Sequence, residues 1–309
     1  MYNNVLEVWN ISKAFRGNKA LDKLNMSVPR GCIYGLIGQN GSGKTTLLRI
    51  IAGLIFPSEG EIALFGHSED RELAAARRRM GCVVESPVFF PKLSVKENLE
   101  YYRIQRGIPD KKSAKRIIET MRLSDVEGKS FQQLPLSTRQ RLGLALASMG
   151  TPDFLILDEP VSGMDQIAIA ELRAILLNLN KSREMTILIT SPVLTELAQI
   201  STEYGILHQG SMVKQLSREQ LEKETRRGIS IKVDDVAATA AVLEEKFQTV
   251  VYEVLPGDEL RVYGIEDPSE MVFQFSDRKI RIRSVIETGL SLEDFIIQAV
   301  DTSRKGNAL

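Results

Sequence analysis

Gly38-Gln39-Asn40-Gly41-Ser42-Gly43-Lys44-Thr45 fits the pattern GxxxxGK[ST], the loop that grips the phosphates of a nucleotide. Upstream, Cys32-Ile33-Tyr34-Gly35-Leu36-Ile37 is a short apolar run that reads as a buried strand. Downstream, Thr46-Leu47-Leu48-Arg49-Ile50-Ile51 has helical spacing. Strand, glycine turn and helix follow one another, which is the context the pattern requires. The turn's backbone N–H groups and the helix N-terminus create positive potential, and the glycines let the main chain approach phosphate oxygens without a Cβ in the way. Gly38, Gln39, Asn40, Gly41, Ser42, Gly43, Lys44, Thr45 and Thr46 are therefore the expected phosphate-binding set. Within it, Lys44 is placed to reach the β- and γ-phosphates, and the Thr45 hydroxyl to ligate Mg²⁺.

A phosphate loop alone does not say what happens to the nucleotide. Four apolar residues, Phe154 to Leu157, lead directly into Asp158-Glu159. Two carboxylates thus stand at the C-terminal end of a buried strand, beside the phosphate loop in a sheet of this kind. Asp158 is expected to hold the Mg²⁺ shell, and Glu159 to orient or deprotonate the attacking water. The other reading of the pair is two acids that cap the next helix.

The 309 residues are enough for one large domain and a smaller one, or two medium ones. At 43% hydrophobic the chain can bury a core, and its 40 basic residues balance 40 acidic ones. No global field attracts nucleic acid, so no nucleic-acid partner is expected. Apolar stretches such as Leu142 to Met149 fall far short of the ~18 residues of a membrane span. The first five residues carry neither a basic nor an apolar export region. Cys32 and Cys82 sit in strand-like runs where a thiol packs as a small hydrophobe.

Along the chain, Val5 to Trp9, Asn25 to Val28, Glu61 to Phe65 and Met80 to Val84 read as strands. From about residue 94 to 149 the texture becomes amphipathic and helical, broken at Gly107-Ile108-Pro109 and Gly128. Phe154 to Leu157 and Thr186 to Thr190 return as continuous apolar runs with helical Ile167 to Leu179 between them, as in a parallel sheet. Ser217 to Arg227 is charge-dense, a linker or a solvated helix. Beyond it the order is βαββαβα, which suggests a small ferredoxin-like module with no catalytic constellation. Its last helix opens at Ser291-Leu292-Glu293-Asp294.

Leu157-Asp158-Glu159-Pro160-Val161-Ser162-Gly163-Met164-Asp165 resembles the Walker B and D-loop run of ABC transporter ATPase subunits. Phe15 resembles the family's aromatic residue that stacks on adenine. Leu134-Pro135-Leu136-Ser137-Thr138-Arg139-Gln140-Arg141-Leu142 stands where its LSGGQ signature precedes a helix. The resemblance covers about residues 3 to 215, and the Glu85-Ser86-Pro87 junction and the C-terminal module make the bacitracin-resistance and lantibiotic-immunity branch the most similar.

The resemblance implies an α/β P-loop NTPase domain of the ABC ATPase type over 1–215, with a mixed sheet core and a helical insertion at about 94–149. A linker at 216–228 and a small α+β ferredoxin-like module at 229–309 complete the expected chain. It implies ATP and Mg²⁺ as cofactors, with Glu159 and Lys44 catalytic and Thr45, Asp158 and Glu85 at the metal. Ser137, Thr138 and Asp165 join Phe15 and the phosphate loop as nucleotide contacts, some of them across a dimer. It also implies a homodimer or heterodimer on separate transmembrane permease subunits, at the cytoplasmic face of the cell membrane.

Three departures bear on mechanism. Glu85 replaces the Q-loop glutamine, Pro135 and Ser137 replace the signature serine and second glycine, and Pro192 replaces the switch histidine. Removing one preorganised group that stabilises transition-state charge typically costs ~10² to 10³ in rate, so turnover is expected to be slow. Two readings compete: an export ATPase with slow turnover, and a nucleotide-sensing or scaffolding subunit without productive hydrolysis. Intact Glu159 favours the first. Neutral charge, a single phosphate loop and absent coiled-coil arms argue against a soluble ABC protein acting on DNA or ribosomes.

The remaining features have local readings. Phe89 and Phe90 form part of a docking surface for a membrane partner, or else pack into the helical insertion. Arg77-Arg78-Arg79 reads as a solvated helix face, Trp9 and the methionines as packing, and His67 and His208 as residues beside turns.

Overall fold

The structure is a computed structural model that describes residues 3–85, 88–226, 228–247, 251–265 and 268–306, with the side chains of 303–306 excepted. Ser86, Pro87 and Arg227, which enter the sequence readings above, lie outside the described residues. The chain divides into two units, Met1–Arg218 and Glu219–Leu309.

The first unit begins with β1 (Asn4–Phe15), β2 (Asn18–Pro29), β3 (Ile33–Ile37), α1 (Lys44–Ile51), β4 (Glu59–Leu64), α2 (Asp70–Arg77) and β5 (Met80–Val83). A helical stretch follows, α3 (Val95–Gln105), α4 (Ser113–Thr120) and α5 (Leu136–Ser148). The chain then returns to β6 (Phe154–Leu157), α6 (Gln166–Arg183), β7 (Thr186–Ser191), α7 (Leu194–Ala198), β8 (Glu203–His208) and β9 (Ser211–Ser217). The charge-dense stretch forms α8 (Arg218–Thr225), which buries Leu221 and spans the division between the units.

Two sheets form. A six-stranded sheet has the order β5-β6-β7-β3-β8-β9, parallel except for β9 at its edge, and an antiparallel sheet has the order β2-β1-β4. The central strands are buried on both faces, which explains their unbroken apolar runs. Helix α1 supplies Leu47, Leu48, Ile50 and Ile51 to the same core as Leu6 and Val8 of β1 and Tyr34 and Leu36 of β3. Strand β1 runs well past Trp9 because Asn10 takes φ 50° and forms a bulge between Val8 and Ile11, after which pairing resumes. The simple alternation that defines a strand in sequence ends at that bulge.

Three packing expectations need correction. Trp9 is 40% exposed rather than packed. The arginine run is not a uniform solvated face: Arg77 Nε donates to the Ile51 carbonyl, and Arg79 pairs with Asp153 at 2.7 Å while lying over the Phe65 ring. Only Arg78 is left to that description. Phe89 and Phe90 part company. Phe89 is 5% exposed, against Phe131 and Tyr102, whereas Phe90 stands out against Tyr101 beside exposed Val88.

The cysteines are closed to chemistry. Cys32 is buried and Cys82 partly so. Burial pushes the Cys32 thiol up to about 12 and the Cys82 thiol up to about 11, so neither is a thiolate near neutrality.

The second unit is β10 (Gly228–Val233), α9 (Val236–Lys246), β11 (Val251–Leu255), β12 (Glu259–Tyr263), α10 (Pro268–Asp277), β13 (Ile282–Thr288) and α11 (Leu292–Gly306). Its sheet order is β11-β12-β10-β13, with every pair antiparallel. That order, with a helix after the first and third strands, is the split βαβ arrangement. Ile229, Ile231 and Val233 alternate along β10 into a core shared with Val242 and Leu243 of α9 and Met271 and Phe275 of α10.

In the helical stretch one amide does the work of several. Ser94 and Glu97 close a capping box at the start of α3. Asn98, 0% exposed, accepts from Phe90 N at 2.8 Å and directs its own N–H groups at the carbonyls of Phe90, Leu93 and Ser94. Replacing it leaves buried backbone groups unsatisfied, each at about 1–3 kcal/mol. Asn98→Ala should lower the thermal midpoint by roughly 4–10 °C. Calorimetry on the whole chain checks this, and an unchanged midpoint refutes it.

Candidate functional site

The phosphate loop hangs between the end of β3 and the start of α1, pinned by its neighbours. Ser42 N donates to the Gln39 carbonyl at 3.0 Å, and the Ser42 carbonyl accepts from Gly210 N at 2.9 Å. Gly43, the N-cap of α1, takes φ 108°, and a Cβ there would sit 2.5 Å from the Ala20 carbonyl. A side chain is excluded twice over, by conformation and by space. Gly41 also has positive φ, 81°, but nothing lies within 4 Å of its Cβ direction, so this turn of backbone faces open room.

Lys44 is 4% exposed. Its Nζ donates to the Gly38 carbonyl at 2.6 Å and the Gln39 carbonyl at 3.3 Å, and pairs with Glu159 Oε1 at 3.2 Å. Thr45 Oγ1 donates to Asp158 Oδ2 at 2.7 Å. The phosphate loop and the carboxylate pair are therefore bonded directly, although their strands are not neighbours. The sheet order sets β7 between β3 and β6, and the carboxylates at the end of β6 nonetheless reach the loop. Thr190, near the end of β7, fills that intermediate position. Its hydroxyl donates to Asp158 Oδ1 at 2.7 Å and accepts from Glu159 N at 2.8 Å. Sequence reading treated Thr190 only as the end of an apolar run. A hydroxyl residue closing a buried strand next to the carboxylate strand was the available signal.

Lys44, Thr45, Asp158 and Glu159 line a cavity of about 590 Å³, within the usual range for a small-molecule site. Asn40, Gly41, Gly43, Lys44, Thr45 and Thr46 meet Glu85, Asp158 and Glu159 there. Glu85 has φ 71°, is mostly exposed and forms an ion pair with Arg49 of α1. Among the described residues no three His, Cys, Asp or Glu side chains gather as a metal cluster. The oxygen donors of Thr45 and Asp158 suit a hard cation that keeps most of its shell for water and phosphate, as Mg²⁺ does. Ser42 Oγ, buried and without a hydrogen-bond partner, adds a polar atom behind the loop.

Other expected site residues do not line this cavity. Phe15 is 44% exposed at the end of β1, with Lys13 Nζ 5.2 Å from its ring centroid. Asp165 caps α6, accepting from Ala168 N at 2.8 Å. Thr138 is buried, so the expectation for the signature pair narrows to half-buried Ser137, in the first turn of α5. Leu136 is 53% exposed at that helix start, and N-cap Pro135 offers no side-chain cap. Gln140 Nε2 ties α5 to the Ser162 carbonyl at 3.0 Å. Pro192 is exposed, while Ser191 accepts from Val193 N and donates to Glu196. His67 contacts Glu72 and His208 ends β8 before the Gln209-Gly210 turn, and neither lines the cavity.

A glycine loop with a buried lysine, bonded through a hydroxyl to one carboxylate and through the ammonium to a second, defines a P-loop nucleoside triphosphatase. The sequence pattern described as ABC transporter matches residues 21–162. Bacitracin transport ATP-binding protein BcrA of Enterococcus faecalis is 32% identical over 297 residues, 96% of this chain and 96% of that protein. Lantibiotic transport ATP-binding protein SrtF of Streptococcus pyogenes is 32% identical over 220 residues, 71% of this chain and 91% of that protein. Among solved structures, a dimeric ATP-binding cassette in a post-hydrolysis state with ADP and Pi covers 69% of this chain at TM-score 0.63 and 23% identity, and 98% of that chain is matched. The structure of cbiO1 from Clostridium perfringens, part of the ABC transporter complex cbiONQ, covers 80% of this chain and 97% of its own, at TM-score 0.66 and 21% identity. The chain belongs to the ATP-binding proteins of the ABC transporters. It is an ATP-binding ATPase subunit, and relatives named for transport favour this over the nucleotide-sensing alternative.

Lys44→Ala removes the ammonium from a site built around it and leaves Glu159 Oε1 without its partner. The affinity for ATP should fall about 10²-fold or more, in line with losing a charged group from a desolvated site. Equilibrium dialysis measures it, and binding within threefold of the unaltered protein refutes the assignment.

Proposed function

We propose that this subunit powers export of an antimicrobial peptide, antibiotic or lipid-like compound through separate membrane subunits, working as a dimer at the cytoplasmic face of the membrane. The observation that carries the reading is the identity to bacitracin transport ATP-binding proteins over 96% of the chain, with the Lys44–Glu159 and Thr45–Asp158 contacts intact. No helix among the described residues is long and apolar enough to cross a membrane, and in this reading the conduit is supplied by the separate membrane subunits.

In this reading the loop N–H groups and Lys44 hold the β- and γ-phosphates of ATP, and Phe15, exposed at a strand end, stacks on adenine. Thr45 and Asp158 hold Mg²⁺, which neutralises charge on the phosphates, and Glu85 faces the same cavity. Glu159 accepts the proton of the attacking water. Ser137 and the D-loop residue Asp165 face a second subunit, whose own loop completes the site. Pro135 and Pro192 lack the donors the family has at these positions, which supports slow turnover.

The reading is tested by ATP turnover of the subunit alone and with co-purified membrane partners, beside Glu159→Gln. Losing the base should cost at least about 10² in kcat, and the partners should stimulate the unaltered protein. Turnover indifferent to both would remove the motor reading. A second test concerns docking. Val88, 80% exposed, and Phe90, held by Asn98 through its backbone, form an apolar spot beside Tyr101. Phe90→Asp should lower co-purification with the membrane subunits severalfold while ATP binding stays unchanged. Equal recovery of the complex argues against this surface.

A further inference from the structure

One hydroxyl joins the metal side of the site to the water side. Thr190 is 0% exposed, and both hydrogen-bonding capacities that its oxygen uses are spent on the Walker B pair. It donates to Asp158 Oδ1 at 2.7 Å, while the other oxygen of that carboxylate accepts from Thr45. It accepts the N–H of Glu159 at 2.8 Å. A carboxylate held at both oxygens by hydroxyls on separate elements has one orientation.

The second bond matters for a different reason. Glu159 takes φ 45°, in the left-handed region that a non-glycine residue keeps only when its surroundings hold it there. Its N–H is fixed by Thr190 and its carbonyl by Ser162 N at 3.1 Å. The direction in which the Glu159 side chain leaves the main chain is therefore set in part by the Thr190 oxygen. Other groups at the end of β7 do not share the task. Ser191 points to the opposite face and serves Val193 and Glu196, and Pro192 carries no donor.

We infer that Thr190 is a positioning residue for water activation: its hydroxyl fixes the backbone angle from which Glu159 presents its carboxylate and the orientation of the Asp158 carboxylate. This rests on Glu159 as the base. Displacing a reacting group by about 1 Å costs on the order of 10²-fold, so the role shows as a loss of rate at constant binding.

The test compares the unaltered subunit with Thr190→Val, Thr190→Ser and Glu159→Gln, measuring kcat and KM for ATP together with the Kd of a fluorescent trinitrophenyl-ATP. Valine keeps the volume and removes both bonds. It should lower kcat about 10- to 100-fold while KM and Kd move less than threefold, and serine should keep kcat within threefold. Valine turnover within threefold of the unaltered protein overturns the inference. So does serine as slow as valine, since the packed methyl group would then be the cause, and so does a parallel loss of Kd and kcat. Should the valine protein fail to fold, Thr190→Ala set against Thr190→Ser carries the same comparison. Glu159→Gln separates this inference from the assignment beneath it. Turnover that survives Glu159→Gln removes the base and the inference together, whereas turnover lost there but kept in Thr190→Val removes Thr190 alone.

Discussion

A buried ammonium group must be surrounded by oxygen. Lys44 meets that demand with two loop carbonyls and the carboxylate of Glu159, and much of the first unit can be read as the means of bringing those three acceptors to one point. The carbonyls face inward only because the loop curls, and it curls because Gly41 and Gly43 accept positive φ. The curl is stable because the Ala20 carbonyl and Gly210 close against it from outside. The carboxylate comes from a strand two places away, so the order of the parallel sheet is itself part of the lysine's environment.

That order creates a gap that side chains must bridge. With β7 between the loop strand and the carboxylate strand, Asp158 is reached from one side by Thr45 and from the other by Thr190. Two short hydroxyls span what a direct neighbour would otherwise contact. The arrangement is rigid for an elementary reason: a threonine hydroxyl has few rotamers and, once buried, no water to exchange with.

Much of this was legible in the sequence, and the reasons are local. The loop could be read because glycine, lysine and threonine at fixed spacing answer to one geometry, and β3, β6 and β7 because burial on both faces leaves unbroken apolar runs. The order of the second unit's elements followed from the same periodicities, whereas α2, α7, β8 and β9 of the first unit were not read. What escaped was set by distant partners. The extent of β1 was hidden by the bulge at Asn10, the two faces of the Phe89-Phe90 pair by a single buried asparagine eight residues on, and the split of the arginine run by Asp153 and Ile51. Thr190 escaped because its role depends on strand order, which periodicity along one strand does not report.

Burial also sorts this site by how freely it can vary. Lys44, Ser42 and Thr190 lie under 6% exposed, and each touches several neighbours that a replacement would have to refit together. Pro135, Pro192 and Glu85, where the chain parts from its family, are exposed, and Ser137 is half-buried. A change there rewrites what an incoming subunit or phosphate meets and leaves the protomer's own packing alone. The speed of such an enzyme is therefore open to adjustment by drift at its rim, one residue at a time, while the interior that makes it an enzyme stays under the much stricter selection imposed by folding.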